Sequence, residues 1–126
     1  MGKKILVVDD SQTTLMALKM MLKDFGYEFV TAGNGVEAVK KAVTEKPDLI
    51  LMDVLMPKMD GIHAVEAIRA IPEVANIPII MVSTRAEIES IQKSFSKGCN
   101  DYIAKPVDRT ELIRKTSKYL TTEKPS

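Results

Sequence analysis

The sequence predicts an α/β fold in which five parallel β-strands alternate with five helices to form a three-layer sandwich. One reason is that short apolar runs and amphipathic segments alternate five times along the 126 residues. Another is that several of the apolar runs are continuous, which is typical of strands covered by helices on both faces. Because successive strands are separated by helices, they must be parallel and joined by right-handed crossovers. A chain of this length is expected to bury a proper core.

The strands are predicted from short runs of apolar and β-branched residues. The first, third and fourth runs are continuously apolar and therefore indicate central strands of the sheet. The second run is more mixed in polarity, which suits an edge strand. The predicted ranges are 4–9, 27–31, 48–53, 78–82 and 100–104.

The helices are predicted from apolar residues spaced three and four positions apart, the spacing of one helix face. Asn34 to Glu37 and Asp108 to Glu111 resemble capping boxes at helix starts. Gly26 and Gly98 stand where a left-handed residue ends a helix. The expected buried stripes are Leu15, Leu18, Leu22 and Phe25; Val36, Val39 and Val43; Ile62, Val65 and Ile68; Ile88, Ile91 and Phe95; and Leu112, Thr116 and Tyr119.

The composition is ordinary for a globular protein and disfavours several functional classes. Lys plus Arg number 18 and Asp plus Glu number 17, so no net charge draws the chain to nucleic acid or to an anionic membrane. No apolar run approaches the roughly 18 residues that span a bilayer, and the first strand leaves no room for a signal peptide. The single cysteine, Cys99, has no disulfide partner. We therefore expect a cytoplasmic protein, with one domain over 1–120 and a flexible tail over 121–126.

Polar side chains stand where four of the predicted strands end. Asp9 and Asp10 end the first strand, Asp53 the third, Ser83 the fourth and Lys105 the fifth. Charges at the ends of buried strands are costly, which favours a functional explanation. In an open parallel sheet, ligands bind at the carboxyl ends of the strands, where the strand order reverses. The order 2-1-3-4-5 makes the first and third strands neighbours at that point, and we prefer it because it brings the carboxylates together.

This set of side chains suits a hard metal ion and a phosphoryl group. Three carboxylates do not stay ionised together without counter-charge, and Lys105 supplies only one positive charge. Oxygen ligands without His or Cys select Mg²⁺ or Mn²⁺ over zinc, and Mg²⁺ is usually held by one or two carboxylates plus phosphate oxygens. A carboxylate can also attack phosphorus, while a metal and an ammonium neutralise the transferring group.

Each of these positions has a plainer explanation when taken alone. The Asp9–Asp10 pair suits a strand end and a helix N-cap, and Asp53 suits a turn before Pro57. Ser83 could cap the next helix, and Lys105 could belong to any strand-to-helix turn. Together these explanations require four coincidences at one edge of one sheet, so we prefer a functional site.

Five segments carry a resemblance to a known family. They are Val7 to Asp10, Asp53 to Gly61, Val82-Ser83, Gly98 to Tyr102 and Lys105-Pro106. With them the chain resembles a bacterial two-component response-regulator receiver domain, of the single-domain chemotaxis-regulator type, from about residue 4 to residue 120. The run Asp-Val-Leu-Met-Pro-Lys-Met-Asp-Gly is its most specific part. The resemblance implies a flavodoxin-like (βα)5 fold with a sheet of order 2-1-3-4-5.

The resemblance also implies roles at the acidic edge. Asp53 would accept the phosphoryl group. Asp10 and the backbone carbonyl of Leu55 would bind Mg²⁺ together with Asp53, and Asp9 would act mainly through a bound water. Lys105 would contact the phosphoryl group.

Further positions are implied to transmit the signal. Ser83 and Tyr102 would be the paired switch residues, and the bond between Lys105 and Pro106 would be cis. The residue after the switch hydroxyl is usually very small in the family, whereas here it is Thr84. We expect its bulk to slow phosphoryl access without changing the family assignment.

The implied function is a signalling switch rather than an enzyme, with only self-phosphorylation and slow autodephosphorylation at Asp53. It would take its phosphoryl group from a sensor histidine kinase or a phosphotransfer protein, in a chemotaxis or phosphorelay pathway. It would then bind a target protein through residues 86–120, and no nucleic acid or membrane partner is expected. One alternative is a receiver module of a hybrid kinase or multidomain regulator. Another is a phosphohydrolase with Asp53 as nucleophile, which is disfavoured because Leu55 occupies the place of the second acid.

Overall fold

The computed structural model describes residues 2–85 and 87–120, and its elements alternate as predicted. Each observed strand begins and ends within one residue of its predicted range. The predicted tail over 121–126 lies outside the described residues. The elements are β1 (Lys4–Val8), α1 (Gln12–Met21), a short 3-10 helix (Lys23–Phe25), β2 (Glu28–Ala32), α2 (Gly35–Glu45), β3 (Leu49–Met52), α3 (Gly61–Arg69), β4 (Ile79–Ser83), α4 (Ile88–Lys97), β5 (Asp101–Ala104) and α5 (Arg109–Leu120).

The five strands form one parallel sheet in the order β2-β1-β3-β4-β5, which confirms the predicted topology. The order reverses between β1 and β3, which lie side by side with Val8 paired to Met52. The residues that follow these two strands therefore meet at the point where such sheets bind ligands.

The core lies in two layers, one on each face of the sheet. Successive residues of a strand point to opposite faces, so β1 contributes Ile5 and Val7 to one layer and Leu6 and Val8 to the other. The first layer packs beneath α1 and α5, and the second beneath α2 and α3. This arrangement confirms the three-layer sandwich and explains why β1, β3 and β4 are apolar at almost every position.

The predicted buried stripe of α2 is wrong in part. Val36 and Val43 are 52% and 38% exposed, whereas Ala38 and Ala42 are fully buried. The helix is rotated toward its small residues, because alanines let its backbone approach the sheet closely. Val39 lies at the border and is partly buried.

The predicted stripe of α4 is wrong in the same way. Ile88 and Phe95 are 73% and 44% exposed, while Ser94 is buried and its hydroxyl donates to the carbonyl of Ser90 at 2.9 Å. That bond within the helix removes the cost of burying the hydroxyl. Phe25, the last residue of the predicted α1 stripe, is also exposed, because α1 ends at Met21 and a 3-10 helix follows.

The guanidinium of Arg69 joins the end of α3 to the loops at the amino-terminal edge of the sheet. One of its partners is Gly98, which follows the C-terminal end of α4 and has a φ of 120°. A Cβ at Gly98 would lie 2.8 Å from Cγ of Arg69, so the arginine and the glycine fit each other. The Arg69 bonds run from Nε to the carbonyl of Gly98 at 2.9 Å, from Nη1 to the carbonyls of Ala75 at 2.9 Å and Ile77 at 2.7 Å, and from Nη2 to Oδ1 of Asn100 at 2.9 Å.

Both predicted helix caps are present in the structure. Oδ1 of Asn34 accepts from the amide of Glu37 at 2.8 Å, and Oδ2 of Asp108 accepts from the amide of Glu111 at 2.9 Å. The carboxylate of Glu37 bonds the amide of Gly33 at 2.7 Å, one residue earlier than a capping box requires. Among the described residues, none of the helices has the length and apolar character needed to cross a bilayer.

Candidate functional site

The carboxyl ends of β1 and β3 bring Asp9, Asp10 and Asp53 together. Carboxylate oxygens of the three residues lie within 4.8 Å of one another. Asp9 and Asp53 are buried, whereas Asp10 is exposed. The amide of Asp53 donates to the carbonyl of Val8 at 3.0 Å, so the main-chain pairing of β1 with β3 continues into the cluster. The amide of Asp9 likewise donates to the carbonyl of Ala32 at 3.1 Å, so the sheet holds the main chain of both buried residues.

Lys105 supplies the positive charge of the cluster. Its Nζ lies 2.7 Å from Oδ2 of Asp9 and 3.4 Å from Oδ2 of Asp53. The peptide bond between Lys105 and Pro106 is cis, as the resemblance implied. The amide of Lys105 donates to the carbonyl of Ser83 at 2.9 Å. The strand ends β1, β3, β4 and β5 thus contribute to one site, as the sequence predicted.

The pKa shifts at this site follow from burial and charge. Burial raises the pKa of Asp53, and the neighbouring Asp9 charge raises it further, against the opposing effect of Lys105. Burial alone would lower the pKa of Lys105, but its hydrogen bond to Asp9 and the charges of Asp53 and Asp9 raise it. Three carboxylates face one ammonium, so the cluster is short of positive charge.

This donor set fits a hard divalent cation. The acidic cluster offers only carboxylate oxygens, and the additional positive charge it lacks is what such an ion supplies. Leu55 lies beside Asp53, and its amide is 3.4 Å from Oδ1 of that residue. A role for the Leu55 carbonyl as a ligand stays a prediction.

We expect Asp10→Ala to weaken Mg²⁺ binding at least about tenfold, because few protein ligands hold this ion. Without metal the same variant should gain up to about 1 kcal/mol in free energy of unfolding, since one repelling charge leaves the cluster. The gain is small because Asp10 is exposed to solvent. An NMR titration with Mg²⁺ and a urea denaturation measured in chelator test both effects.

Glu73→Ala is the matched control for this experiment, because Glu73 is an exposed acid on the connection between α3 and β4. It should leave Mg²⁺ affinity unchanged. Equal affinities in wild type and Asp10→Ala would show that the ion is held elsewhere.

The two predicted switch residues are joined through the main chain of Arg85. Ser83 is the last residue of β4, and its buried Oγ accepts from the amide of Arg85 at 3.1 Å. The hydroxyl of Tyr102 donates to the carbonyl of Arg85, and the ring is buried. Burial raises the pKa of Tyr102, which keeps the hydroxyl protonated and able to donate. Sequence reasoning missed Arg85, because a main-chain contact leaves no signal in residue type.

The loop after Asp53 is held by the start of α3. The amide of Gly61 donates to the carbonyl of Val54 at 2.8 Å. Asp60 caps α3, with its Oδ1 accepting from the amide of His63 at 2.9 Å. The bond from Gly61 to Val54 therefore connects the two ends of the loop that follows Asp53.

Thr84 follows Ser83 and is exposed.

Comparison with known proteins places the chain in a family. Residues 5–117 match the response regulator receiver domain, and the chain belongs to that family. It is a receiver domain of two-component systems, a class of signalling switch, as the sequence predicted.

Several relatives make the similarity concrete. The chain is 41% identical over 112 residues to the alkaline phosphatase synthesis transcriptional regulatory protein PhoP of Bacillus subtilis, covering 89% of this chain and 46% of that protein. It is 36% identical to sporulation initiation phosphotransferase F of the same organism, over 95% of both chains. The chain thus spans about half the length of the first relative and nearly all of the second.

A solved structure of a receiver domain has the same fold. The receiver domain of a sensor histidine kinase from Pseudomonas aeruginosa, with a magnesium ion coordinated in its active-site cleft, superposes with a TM-score of 0.89. The two are 33% identical, and the match covers 97% of this chain and 100% of that one.

Proposed function

We propose that this chain takes a phosphoryl group onto Asp53 from a histidine kinase or a phosphotransfer protein. A carboxylate oxygen of Asp53 forms a bond to phosphorus while the bond from phosphorus to the donor's imidazole nitrogen breaks, and the electron pair returns to that nitrogen. The observation that carries the proposal is the cluster of Asp9, Asp10, Asp53 and Lys105 at one sheet edge. The nearly full-length similarity to a sporulation phosphotransferase supports it.

The surrounding residues prepare Asp53 for this step. Asp10, Asp53 and the carbonyl of Leu55 would hold Mg²⁺ directly, with Asp9 acting through a bound water, and Mn²⁺ suits the same oxygen donors. When bound, the ion supplies positive charge next to the transferring group. Lys105 would contact a phosphoryl oxygen from the other side, which its position beside Asp53 allows.

We do not propose turnover of small phosphate esters. An enzyme that hydrolyses such esters through Asp53 would need a second acid two residues later, and that position holds Leu55. A phosphate-release assay on generic phosphate esters tests this, and sustained multiple turnover would contradict it.

Phosphorylation would act on the surface through Ser83, Arg85 and Tyr102. A phosphoryl oxygen on Asp53 can accept from the Ser83 hydroxyl, whose Oγ already holds the amide of Arg85. The carbonyl of Arg85 in turn holds the Tyr102 hydroxyl. The modification would favour the buried position of the Tyr102 ring, the one described here, over a more exposed position. The surface that changes lies within 86–120, where α4 exposes Ile88 and Phe95.

The test of this switch is Ser83→Ala. The variant should still accept phosphate on Asp53, but phosphorylation should shift Tyr102 between its positions about ten- to a hundredfold less. That range corresponds to about 1.5–3 kcal/mol for one charge-assisted hydrogen bond. Tyrosine ring signals in NMR, with and without a phosphoryl mimic and Mg²⁺, measure the shift.

Ser96→Ala is the control, because Ser96 is an exposed serine of α4 whose hydroxyl donates within its own helix, to the carbonyl of Lys93. It should respond like wild type. A wild-type response of Tyr102 in Ser83→Ala would show that the signal does not pass through this hydroxyl.

The same chemistry would serve a receiver module inside a longer protein. Matches to half of a transcriptional regulator and to the receiver domain of a sensor kinase favour that arrangement, and the match to a protein of similar length favours a separate switch. The length of the coding sequence decides between them. In either case we propose a cytoplasmic location, because the single cysteine cannot form a disulfide within the chain. We also propose a protein target, because the nearly balanced charges give no drive toward nucleic acid or an anionic membrane.

A further inference from the structure

Within residues 2–85 and 87–120, strand β5 forms one edge of the sheet and pairs with β4. An edge strand presents peptide groups that no neighbouring strand pairs, and these must find other partners. At Tyr102 both groups have side-chain partners. Its amide donates to Oδ1 of Asp101 at 2.9 Å, and its carbonyl accepts from Nζ of Lys115 at 2.9 Å. The main chain of the proposed switch residue is therefore held from outside the sheet.

Lys115 and Asp101 are bonded to each other as well as to Tyr102. Nζ of Lys115 lies 3.1 Å from Oδ1 of Asp101 and 3.2 Å from Oε2 of Glu111. The Lys115 and Asp101 side chains are only 17% and 19% exposed. Burial alone would raise the pKa of Asp101, but the Tyr102 amide and the Lys115 ammonium lower it. The carboxylate is therefore ionised at neutral pH and remains a strong acceptor.

Tyr119 extends the same set of bonds along the strand. Its hydroxyl donates to the carbonyl of Asn100 at 2.9 Å and lies 3.3 Å from Oδ2 of Asp101. We call Asp101, Lys115 and Tyr119 the edge clasp. The edge clasp differs from surface ion pairs such as Lys23 with Asp24, whose side chains are mostly exposed and whose contribution to stability is small.

Tyr102 is thus attached at two ends. The hydroxyl of its ring is held by the carbonyl of Arg85 in the β4–α4 loop, and its peptide groups are held by the edge clasp. A change in the loop can move the ring reproducibly only if the backbone that carries the ring stays in place. Without the edge clasp, part of the displacement would be taken up by movement of β5.

We propose that Asp101, Lys115 and Tyr119 are positioning residues of the switch, which fix the main chain of Tyr102 so that phosphorylation moves its ring and not its strand. The proposal rests on the proposed function, in which Tyr102 reports phosphorylation of Asp53. Because Lys115 and Tyr119 belong to α5, the clasp also ties that helix to the backbone of the switch residue.

The test replaces Lys115 with methionine, which keeps an unbranched chain but removes the donor and the charge. In the unphosphorylated protein, amide hydrogen exchange at Tyr102 should be at least about tenfold faster than in wild type, while exchange in β1 and β3 stays unchanged. A general loss of stability would instead accelerate all strands together. Labelling of Asp53 by a small phosphodonor should be unaffected, but the phosphorylation-dependent change in the Tyr102 ring signals should fall to less than about half.

Arg114→Met is the matched control, since Arg114 is the exposed neighbour on the same helix and loses the same charge. It should behave as wild type. Tyr119→Phe is a milder second variant that keeps the net charge, and it should accelerate exchange over Asn100 to Tyr102 by a smaller factor. Lys115→Arg, which retains a donor, should restore slow exchange.

Failure of the edge clasp and failure of the proposed function give different experimental results. Wild-type exchange at Tyr102 in Lys115→Met, or equal acceleration in Arg114→Met, would overturn the edge clasp. A wild-type protein that is labelled on Asp53 but shows no change at Tyr102 would instead contradict the proposed function. The exchange measurement needs no phosphorylation, so it decides the clasp in that case too.

Discussion

Replacing Asp53 with alanine is expected to abolish covalent phosphorylation of this protein. Two buried carboxylates lie near Nζ of Lys105. Asp9 bonds this ammonium directly at 2.7 Å, whereas Asp53 lies 3.4 Å from it and is the carboxylate that we propose as the acceptor. Incubation with a small phosphodonor and Mg²⁺, followed by intact-mass measurement and peptide mapping, would follow the modification. Wild type should gain one phosphoryl group on Asp53, and Asp53→Ala should gain none.

The loss should not come from unfolding. Burial raises the pKa of Asp53, so its ionised carboxylate is held at a cost, and the variant should be at least as stable as wild type at neutral pH. Asp60→Asn is the control, because Asp60 is the other acid of the same loop and asparagine also serves as a helix cap. It should be labelled normally. Full labelling of Asp53→Ala would place the acceptor elsewhere and overturn the proposed function.

The largest expected effect on stability is that of Gly61→Ala. A Cβ at position 61 would lie 1.9 Å from the carbonyl oxygen of Asp53 and 3.0 Å from Cγ of Met52. The obstacle is backbone at the end of β3, which cannot rotate away as a side chain can. We expect a loss of about 3 kcal/mol or more in free energy of unfolding, which lowers Tm by roughly 10 °C. Phosphorylation of the folded fraction should slow as well, because relief of the contact must displace Asp53.

Gly33→Ala provides the comparison. A Cβ there would meet only Oε1 of Glu37, at an ordinary 3.7 Å, so the variant should be neutral or slightly more stable. Thermal denaturation of both variants tests the pair. A Gly61→Ala protein within about 1 kcal/mol of wild type would mean that the loop adapts more easily than the structure indicates.

Much of the fold follows from local pattern. The apolar runs predict the bounds of the strands closely, because in a strand covered on both faces polar residues occur mainly where the strand ends. The strand order itself cannot be read from the sequence. The order 2-1-3-4-5 is the preferred one because it makes β1 and β3 neighbours and so brings Asp9 and Asp53 together. The convergence of the acidic residues with Lys105 was predictable because the carboxyl ends of parallel strands share one edge.

The wrong predictions of the buried faces of α2 and α4 have a common physical cause. In α2 and α4 the larger apolar residues, such as Val36 and Ile88, point outward, and Ala42 and Ser94 face the protein. Apolar spacing identifies a helix, but it does not reveal which of two adjacent faces lies closest to the sheet when that face carries small residues. The Arg85 carbonyl and the edge clasp were also invisible, because main-chain acceptors carry no sequence signature.

The bonds of Arg69 bear on how α4 moves. The carbonyl of Gly98 at the end of the helix is fixed to α3 by the arginine, and Lys97 lies 3.3 Å from Glu66 of α3. At the other end, Glu87 makes no side-chain capping bond in the part of the chain described. If α4 changes its angle about the end held by Arg69, the displacement of each residue grows with its distance from Gly98. The displacement would therefore be largest at Ile88, which lies close in sequence to the loop that holds Tyr102, and smallest beside Gly98.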